Sequence, residues 1–273
     1  MTTTKTNLIK SLSVFIMILF ILTACGTGKN KEQKAIDASE KMGMELKEVS
    51  DYPIPTSVEV VEMLNRAGAP YIIGISNPVS NADKYFTEKS KALNLGVYGA
   101  DLSYASTYEM KQETMNYLKV AKQLIDELNI ASSFSLSFAQ RVESNLENKD
   151  SLINIVADSF YDTYVFLTEN KRDDLSLLVM AGSWIEGVYL TSQIAISATD
   201  SKEFLNIIAE QKKPLSKLLE LIEPMKDEER ISDLYKDLSD LKIIYEDVET
   251  AISPEKFEEI SQKVEEIRTR ITS

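Results

Sequence analysis

The interval from Ala100 to Lys213 contains no proline and two glycines, and this most constrains the fold. Proline removes a backbone donor and glycine weakens a helix, so an interval nearly free of both favours long helices. Prolines and glycines instead crowd into residues 50–80, where we expect turns, a short helix opened by a Thr56–Glu59 capping box, and an irregular loop over 69–80.

Apolar residues recur at helical spacing through the rest of the chain, and no segment alternates with period two over the length of a strand. The sequence therefore predicts an all-α protein, a multi-helix bundle. We expect the first of these later helices to be capped by Asn81. The predicted helices cover about residues 82–94, 95–109, 112–129, 135–147, 150–168, 173–198, 201–223, 227–252 and 255–271.

Two segments lack the polar face of a surface helix. Residues 175–198 contain one charged side chain, Glu186, and residues 92–108 also contain one, Asp101. The first segment carries too many hydroxyl and amide groups to favour a membrane-spanning helix. A helix that is apolar on all sides within a soluble body is surrounded by other helices. The sequence therefore predicts two apolar central helices.

Each central segment also carries two glycines, Gly96 and Gly99 in one and Gly182 and Gly187 in the other. Glycine inside a helix costs about 1 kcal/mol relative to alanine. The cost is explained if helix backbones approach closely there, or, at Gly96, if the residue marks a break between two helices. A phosphate-binding loop is excluded because neither glycine-rich nucleotide motif is present.

The two segments resemble each other around their single charges. Asp101-x-x-Tyr104 aligns without a gap with Glu186-x-x-Tyr189, 85 residues later, which leaves an ancient duplication open. Tyrosine at i+3 lies on the same helix face as the acid. An isolated buried carboxylate is costly, so we expect each to be hydrogen-bonded, paired with a cation, or protonated.

Three interpretations of Asp101 and Glu186 remain open. They are members of a structural network that specifies helix packing, or they bind a polar ligand or hard cation, with Tyr104, Tyr189 and Trp184 as further candidates. The third is paired-carboxylate catalysis, as in glycoside hydrolysis, which requires an open cleft between carboxyls about 5–10 Å apart. No EF-hand sequence is present, and we predict no metal site.

The C-terminal part predicts an antiparallel helical hairpin over residues 227–271. Apolar residues are spaced alternately by three and four on both sides of Ser253-Pro254, as in heptad seams. This hairpin either projects as a partner-binding arm or packs against the rest of the bundle. The seam residues are Ile231, Leu234, Leu238, Leu241, Tyr245, Val248 and Ile252, followed by Phe257, Ile260, Val264, Ile267 and Ile271.

Composition excludes several classes of function. The chain has 273 residues, no histidine and one cysteine, so a Ser-His-Asp triad, a Cys-His pair, a zinc cluster and an intrachain disulfide are all excluded. Its net charge of −13 argues against a nucleic-acid partner. With no recognisable catalytic motif, we expect a protein that is not an enzyme and holds no dissociable cofactor.

The N-terminus has the organisation of a secretory signal. Lys5 and Lys10 precede an apolar stretch over residues 12–22, which is too short to span a bilayer as a helix. The following Leu-Thr-Ala-Cys25-Gly resembles a bacterial lipobox, with the only cysteine at the position where the pattern needs it. The resemblance implies cleavage before Cys25, which then carries a diacylglyceryl thioether and an N-acyl chain.

This lipobox defines the predicted organisation of the chain. Residues 1–24 are a signal peptide, 25–49 a lipidated cysteine with a polar tether, and 50–273 a single helical domain. Each buried methylene contributes about 0.8 kcal/mol, so two or three acyl chains anchor the protein stably. Loss of Lys5 and Lys10 changes the net charge from −13 to −15, and anionic headgroups repel such a body. We therefore expect the anchor alone to contact the membrane.

Several segments resemble an uncharacterised group of all-helical bacterial lipoproteins, with the likeness covering most of residues 50–225. They are Asn77-Pro78-Val79, Lys84-Tyr85, residues 93–102 and residues 181–186. The resemblance implies the helical fold and the anchor but brings no activity.

Together these features predict a lipid-anchored protein of the cell envelope with a binding or scaffold role. Gly26, in place of an aspartate that retains some lipoproteins in the inner membrane, favours the outer membrane facing the periplasm if the cell is Gram-negative. The expected partners are the membrane through the lipid, and an envelope protein or a small ligand. The alternative is a periplasmic ligand- or cation-binding protein, or a hydrolase, that uses Asp101 and Glu186.

Overall fold

A computed structural model of the chain describes residues 57–130, 132–248 and 252–273, and within these ranges every regular element is a helix. The predicted all-α class is confirmed. The predicted signal peptide, Cys25, the tether and Thr56 lie outside the described residues. The helices are α1 Ser57–Arg66, α2 Glu88–Thr107, α3 Lys111–Glu127, α4 Ser132–Ser144, α5 Lys149–Glu169, α6 Asp173–Ser197, α7 Lys202–Glu210, α8 Lys212–Ile222, α9 Ser232–Tyr245 and α10 Pro254–Thr272, with short 3₁₀ helices at Val79–Lys84 and Glu223–Met225.

Helices α2 and α6 form the centre of the bundle, as predicted. Every residue from Ala92 to Ser106 and from Leu175 to Val188 is buried, whichever way its side chain points. Among the described residues, α6 alone is long and apolar enough to cross a membrane, but 94% of its apolar window is buried inside the protein. A helix buried on all sides in this way is a core helix of the bundle.

Close backbone approach explains Gly96 and Gly182, one glycine of each central helix. A Cβ at Gly96 would overlap the backbone of Val179 and Ser183 in α6, and a Cβ at Gly182 would overlap the carbonyl of Leu93 in α2. The predicted close packing is confirmed at this crossing. The alternative of a helix break at Gly96 is wrong, because α2 continues from Glu88 to Thr107.

The start of α2 differs from the prediction. Asn81 does not cap it, because residues 79–84 form a 3₁₀ helix and α2 begins only at Glu88. The cap is Thr87, whose Oγ1 accepts a hydrogen bond from the Ser90 amide at 3.0 Å, while Ser90 Oγ accepts from the Thr87 amide at 3.1 Å. This reciprocal pair satisfies two amides that helix geometry leaves without partners.

The C-terminal hairpin is present and packs on the bundle. Ser253 caps α10 by accepting from the Lys256 amide at 3.2 Å, and the predicted seam is buried apart from the half-buried Phe257. Tyr245 of α9 donates a hydrogen bond to the carbonyl of Ile208 at 3.0 Å, and α10 packs against α6. Of the two alternatives, the structure shows packing against the bundle. The predicted helix over 201–223 is divided at Gln211 into α7 and α8.

Candidate functional site

Glu186 of α6 is part of a buried ion pair that sequence reasoning missed. Its carboxylate is fully buried and accepts two hydrogen bonds from Arg268 of α10, from Nε at 2.9 Å and from Nη2 at 3.0 Å. The guanidinium lies 4.1 Å from the centroid of the Tyr189 ring. Glu186 and Tyr189, one helical turn apart, therefore hold the same arginine, one through charge and the other through its π face.

Asp101 of α2 is also fully buried, and its two oxygens have different surroundings. Oδ2 accepts a hydrogen bond from the amide of Asn77 at 3.1 Å, whereas Oδ1 has no donor. Ser76 Oγ faces this carboxyl but makes no hydrogen bond of good geometry. The Asp101 carboxyl is within hydrogen-bonding reach of Glu186.

The two acids are brought together because α2 and α6 run parallel in one register. Arg172, just before α6, bonds to Glu88 at the start of α2 at 3.0 Å, Gly96 lies against the backbone between Val179 and Ser183, and Asp101 lies near Glu186. Residue numbers therefore rise together along both helices. The offset between Asp101 and Glu186 is the same 85 residues at which the two segments align in sequence. The gapless alignment thus corresponds to a spatial register, while an ancient duplication stays open.

Burial dominates the electrostatics of this site. It raises the pKa of Asp101 well above its usual range, and the neighbouring Glu186 raises it further, whereas Arg268 acts in the opposite direction. Burial also raises the pKa of Glu186, against the lowering effect of Arg268. For Arg268, burial lowers the pKa, but the Glu186 charge and its hydrogen bonds outweigh this and raise it.

Tyr104, a predicted ligand-binding candidate, holds the loop between α1 and α2 by hydrogen bonds and does not line an open pocket. Its hydroxyl accepts from the Ile72 amide at 2.8 Å and donates to the carbonyl of Pro70 at 3.4 Å. Tyr71 stacks on its ring with centroids 4.6 Å apart. Burial raises the pKa of Tyr104 to about 12, so the hydroxyl stays neutral.

Further polar contacts join this loop to the C-terminal helix. Asn94 of α2 donates to the carbonyl of Ile271 at 2.8 Å, and Tyr85 donates to the carbonyl of Thr272 at 3.3 Å. Asn77 Nδ2 donates to the hydroxyl of Tyr85 at 3.0 Å. Arg268 Nη2 also reaches the carbonyl of Ile75 at 3.4 Å. We call Asn77, Tyr85, Asn94, Asp101, Glu186 and Arg268 the polar core network.

Trp184 is not part of this network. It lies two residues from Glu186, which places the two side chains on different faces of α6. Its indole N–H donates to Gln211 Oε1 at 3.2 Å, at the junction of α7 and α8. The structure therefore brings together Asp101, Glu186 and Tyr189, and it places Trp184 in another part of the core.

The arrangement is closed to solvent. Neither carboxyl has any exposed surface, so a substrate reaches them only if α10 or the loop before α2 moves. Arg268 already occupies the side of Glu186 on which a cation would bind. Among the described residues, no group of three or more Asp, Glu, His or Cys side chains is placed to hold a metal ion. The geometry favours the structural interpretation of the two acids.

Comparison of the chain with family models, with curated proteins and with solved structures gives no match. The resemblance to helical lipoproteins stays a prediction.

Proposed function

We propose that this protein is a lipid-anchored component of a bacterial cell envelope, and that its helical body is a binding module or scaffold rather than an enzyme. The observation that carries the proposal is Cys25, the only cysteine of the chain, directly after Leu-Thr-Ala and an apolar signal core. Lipidation at this position places the body outside the cytoplasm, with the outer membrane facing the periplasm as the favoured site in a Gram-negative cell.

The buried charges hold the described body in one arrangement, which suits a binding module or scaffold. Glu186 pairs with Arg268, which also reaches the carbonyl of Ile75. Asp101 accepts a hydrogen bond from the Asn77 amide. The partner, an envelope protein or a small ligand, then meets the acidic outer surface. A mature net charge of −15 keeps this surface away from anionic lipid.

The anchor is tested by labelling cells with radioactive palmitate. Wild-type protein is expected to incorporate label and Cys25→Ala to incorporate none, because the thioether forms on the cysteine sulfur. Thr23→Ala is the matched control, since it keeps the apolar-then-small pattern before the cysteine and is expected to label normally. Label on Cys25→Ala, or an unlabelled wild-type protein, would refute lipidation.

The role of the body is tested in the same cells by copurification from detergent-solubilised membranes. The full chain is compared with residues 1–56 fused to an unrelated reporter domain, which keeps the anchor and lacks the described helices. A defined envelope protein that copurifies with the full chain and not with the fusion supports the binding role. Identical sets of proteins from both would assign the interactions to the tether and contradict the proposal.

A further inference from the structure

The polar core network contains one more acid than base. Within the described part of the chain, Asp101 and Glu186 face a single cation, Arg268, and all three side chains are nine-tenths buried or close to it. If both acids were ionised, the site would hold an uncompensated negative charge away from water, which is strongly unfavourable.

Among the residues that the structure describes, no other charged group supplies the missing compensation. The remaining titratable groups whose electrostatic interaction reaches Asp101 are tyrosines from the loop, from α2, from α3 and from α6, and burial raises the pKa of each, so all are neutral at physiological pH. They are Tyr71, Tyr98, Tyr104, Tyr117 and Tyr189.

The individual oxygens indicate where a proton fits. Both oxygens of Glu186 accept from Arg268, and Asp101 Oδ2 accepts from Asn77. Asp101 Oδ1 is fully buried and receives no hydrogen bond, although it belongs to a carboxyl beside Glu186. A protonated carboxyl oxygen is a donor, so a proton on Oδ1 turns an atom that receives no hydrogen bond into a donor toward the neighbouring Glu186 carboxylate.

We propose that Asp101 and Glu186 together form a proton-binding site, in which Asp101 Oδ1 carries one exchangeable proton and donates it to Glu186, and that this proton controls the docking of α10 and of residues 70–78. Asp101 holds the loop through Asn77, and Glu186 holds α10 through Arg268. Loss of the proton leaves two adjacent carboxylates competing for one guanidinium. The loop and the last turns of α10 then separate more readily from the core.

The direction of the pH dependence follows from linkage. The carboxyl of Asp101 has an unfolded-state pKa of about 3.9 and a raised pKa in the folded protein. Such a group makes its full relative contribution to stability below the unfolded value. That contribution is lost as the pH rises from the unfolded-state pKa through the folded-state pKa. Above the folded-state pKa, the stability no longer changes with the titration of this carboxyl.

The decisive variant is Asp101→Asn in the full chain, purified in mild detergent. The asparagine amide imitates the protonated carboxyl, because its oxygen accepts from Asn77 and its nitrogen donates to Glu186 at any pH. Hydrogen exchange over residues 70–78 and 265–273, corrected for the intrinsic pH dependence of exchange, is expected to accelerate at least tenfold in wild type as pH rises from 4 to 9. In Asp101→Asn the corrected protection is expected to stay constant.

Asp83→Asn is the matched control, since Asp83 is an exposed carboxyl outside the polar core network, and it is expected to reproduce the wild-type profile. A profile that is the same in wild type and Asp101→Asn would overturn the proposal. Infrared spectroscopy tests wild type directly, whether or not the variant folds. The carbonyl stretch of a protonated carboxylic acid is expected at neutral pH, and its absence would also overturn the proposal.

The proton-binding site depends only on the described residues and not on lipidation of Cys25. A failed palmitate experiment with a positive infrared result would reject the anchor and keep the proton-binding site. The reverse pair of results would do the opposite.

Discussion

Removal of the Arg268 guanidinium should destabilise the fold by about 3–5 kcal/mol. Arg268→Met keeps most of the aliphatic side chain but leaves Glu186 with no counterion, and breaking a buried ion pair in this way costs about 3–5 kcal/mol. The hydrogen bonds give a similar figure, since the two bonds at 2.9 and 3.0 Å contribute about 1.5–3 kcal/mol each when charged. Loss of the contact with the Tyr189 ring adds up to about 1 kcal/mol.

Urea unfolding at neutral pH measures this cost as a shift in midpoint at constant denaturant dependence. The control is Arg270→Met, two residues further along α10, where the guanidinium is 53% exposed and pairs with Asp237. An exposed pair contributes about 0–1 kcal/mol, so this variant should remain close to wild type.

A double-mutant cycle with Glu186→Gln separates the pair from general damage. Glu186→Gln alone leaves Arg268 buried without an anion, and it should also cost several kcal/mol. With Asp101 protonated, the double variant leaves no unpaired charge, so its cost should be well below the sum of the two single costs. Additive costs, or a loss below about 1 kcal/mol for Arg268→Met, would refute the argument that this charge pair holds α10 to the core.

Two further substitutions test other parts of the site. Gly96→Ala should destabilise the protein by about 2 kcal/mol or more in thermal or urea unfolding. The new Cβ would overlap the Val179 backbone, which puts the overpacking cost at or above the upper end of about 1–3 kcal/mol, and improved helix propensity returns about 1 kcal/mol. Gly99→Ala, which meets a movable side chain, should cost less, and equal costs would contradict this. Tyr104→Phe should cost about 1 kcal/mol and speed hydrogen exchange of the Ile72 amide, because that amide loses its acceptor; unchanged exchange would show that the bond does not hold the loop.

Much of the fold could be predicted because helical periodicity is a local property of the sequence. The two apolar segments gave the central helices, and the alternating spacing after Ile231 gave the hairpin. The start of α2 was missed because the cap Thr87 has Ser90 at its third position, where the usual pattern has Glu or Gln.

The site could be predicted only in part, because the basic partner of its two acids lies far from them in the sequence. Asp101 and Glu186 were identifiable as lone charges in apolar helices. Arg268 was not, because it lies in a helix rich in charged residues and nothing local distinguishes it from Lys263 or Arg270. Its importance arises because packing places it against Glu186, which lies 82 residues earlier in the sequence. Because their basic partner could not be identified from the sequence, a ligand site at the two acids stayed open as an interpretation, whereas in the structure both carboxyls are closed to solvent.

The last turn of α10 contacts residues that lie far from it in the sequence, and this has a consequence for the order in which the molecule is made. Asn94 donates a hydrogen bond to a carbonyl 177 residues later in the chain, and Tyr85 donates to one 187 residues later. Contacts of such long range form slowly, because a large loop of chain must close before they contribute. The central helix pair is synthesised long before Ile271 and Thr272 leave the ribosome. Asn94 and Tyr85 therefore lack these partners until Thr272 has been synthesised.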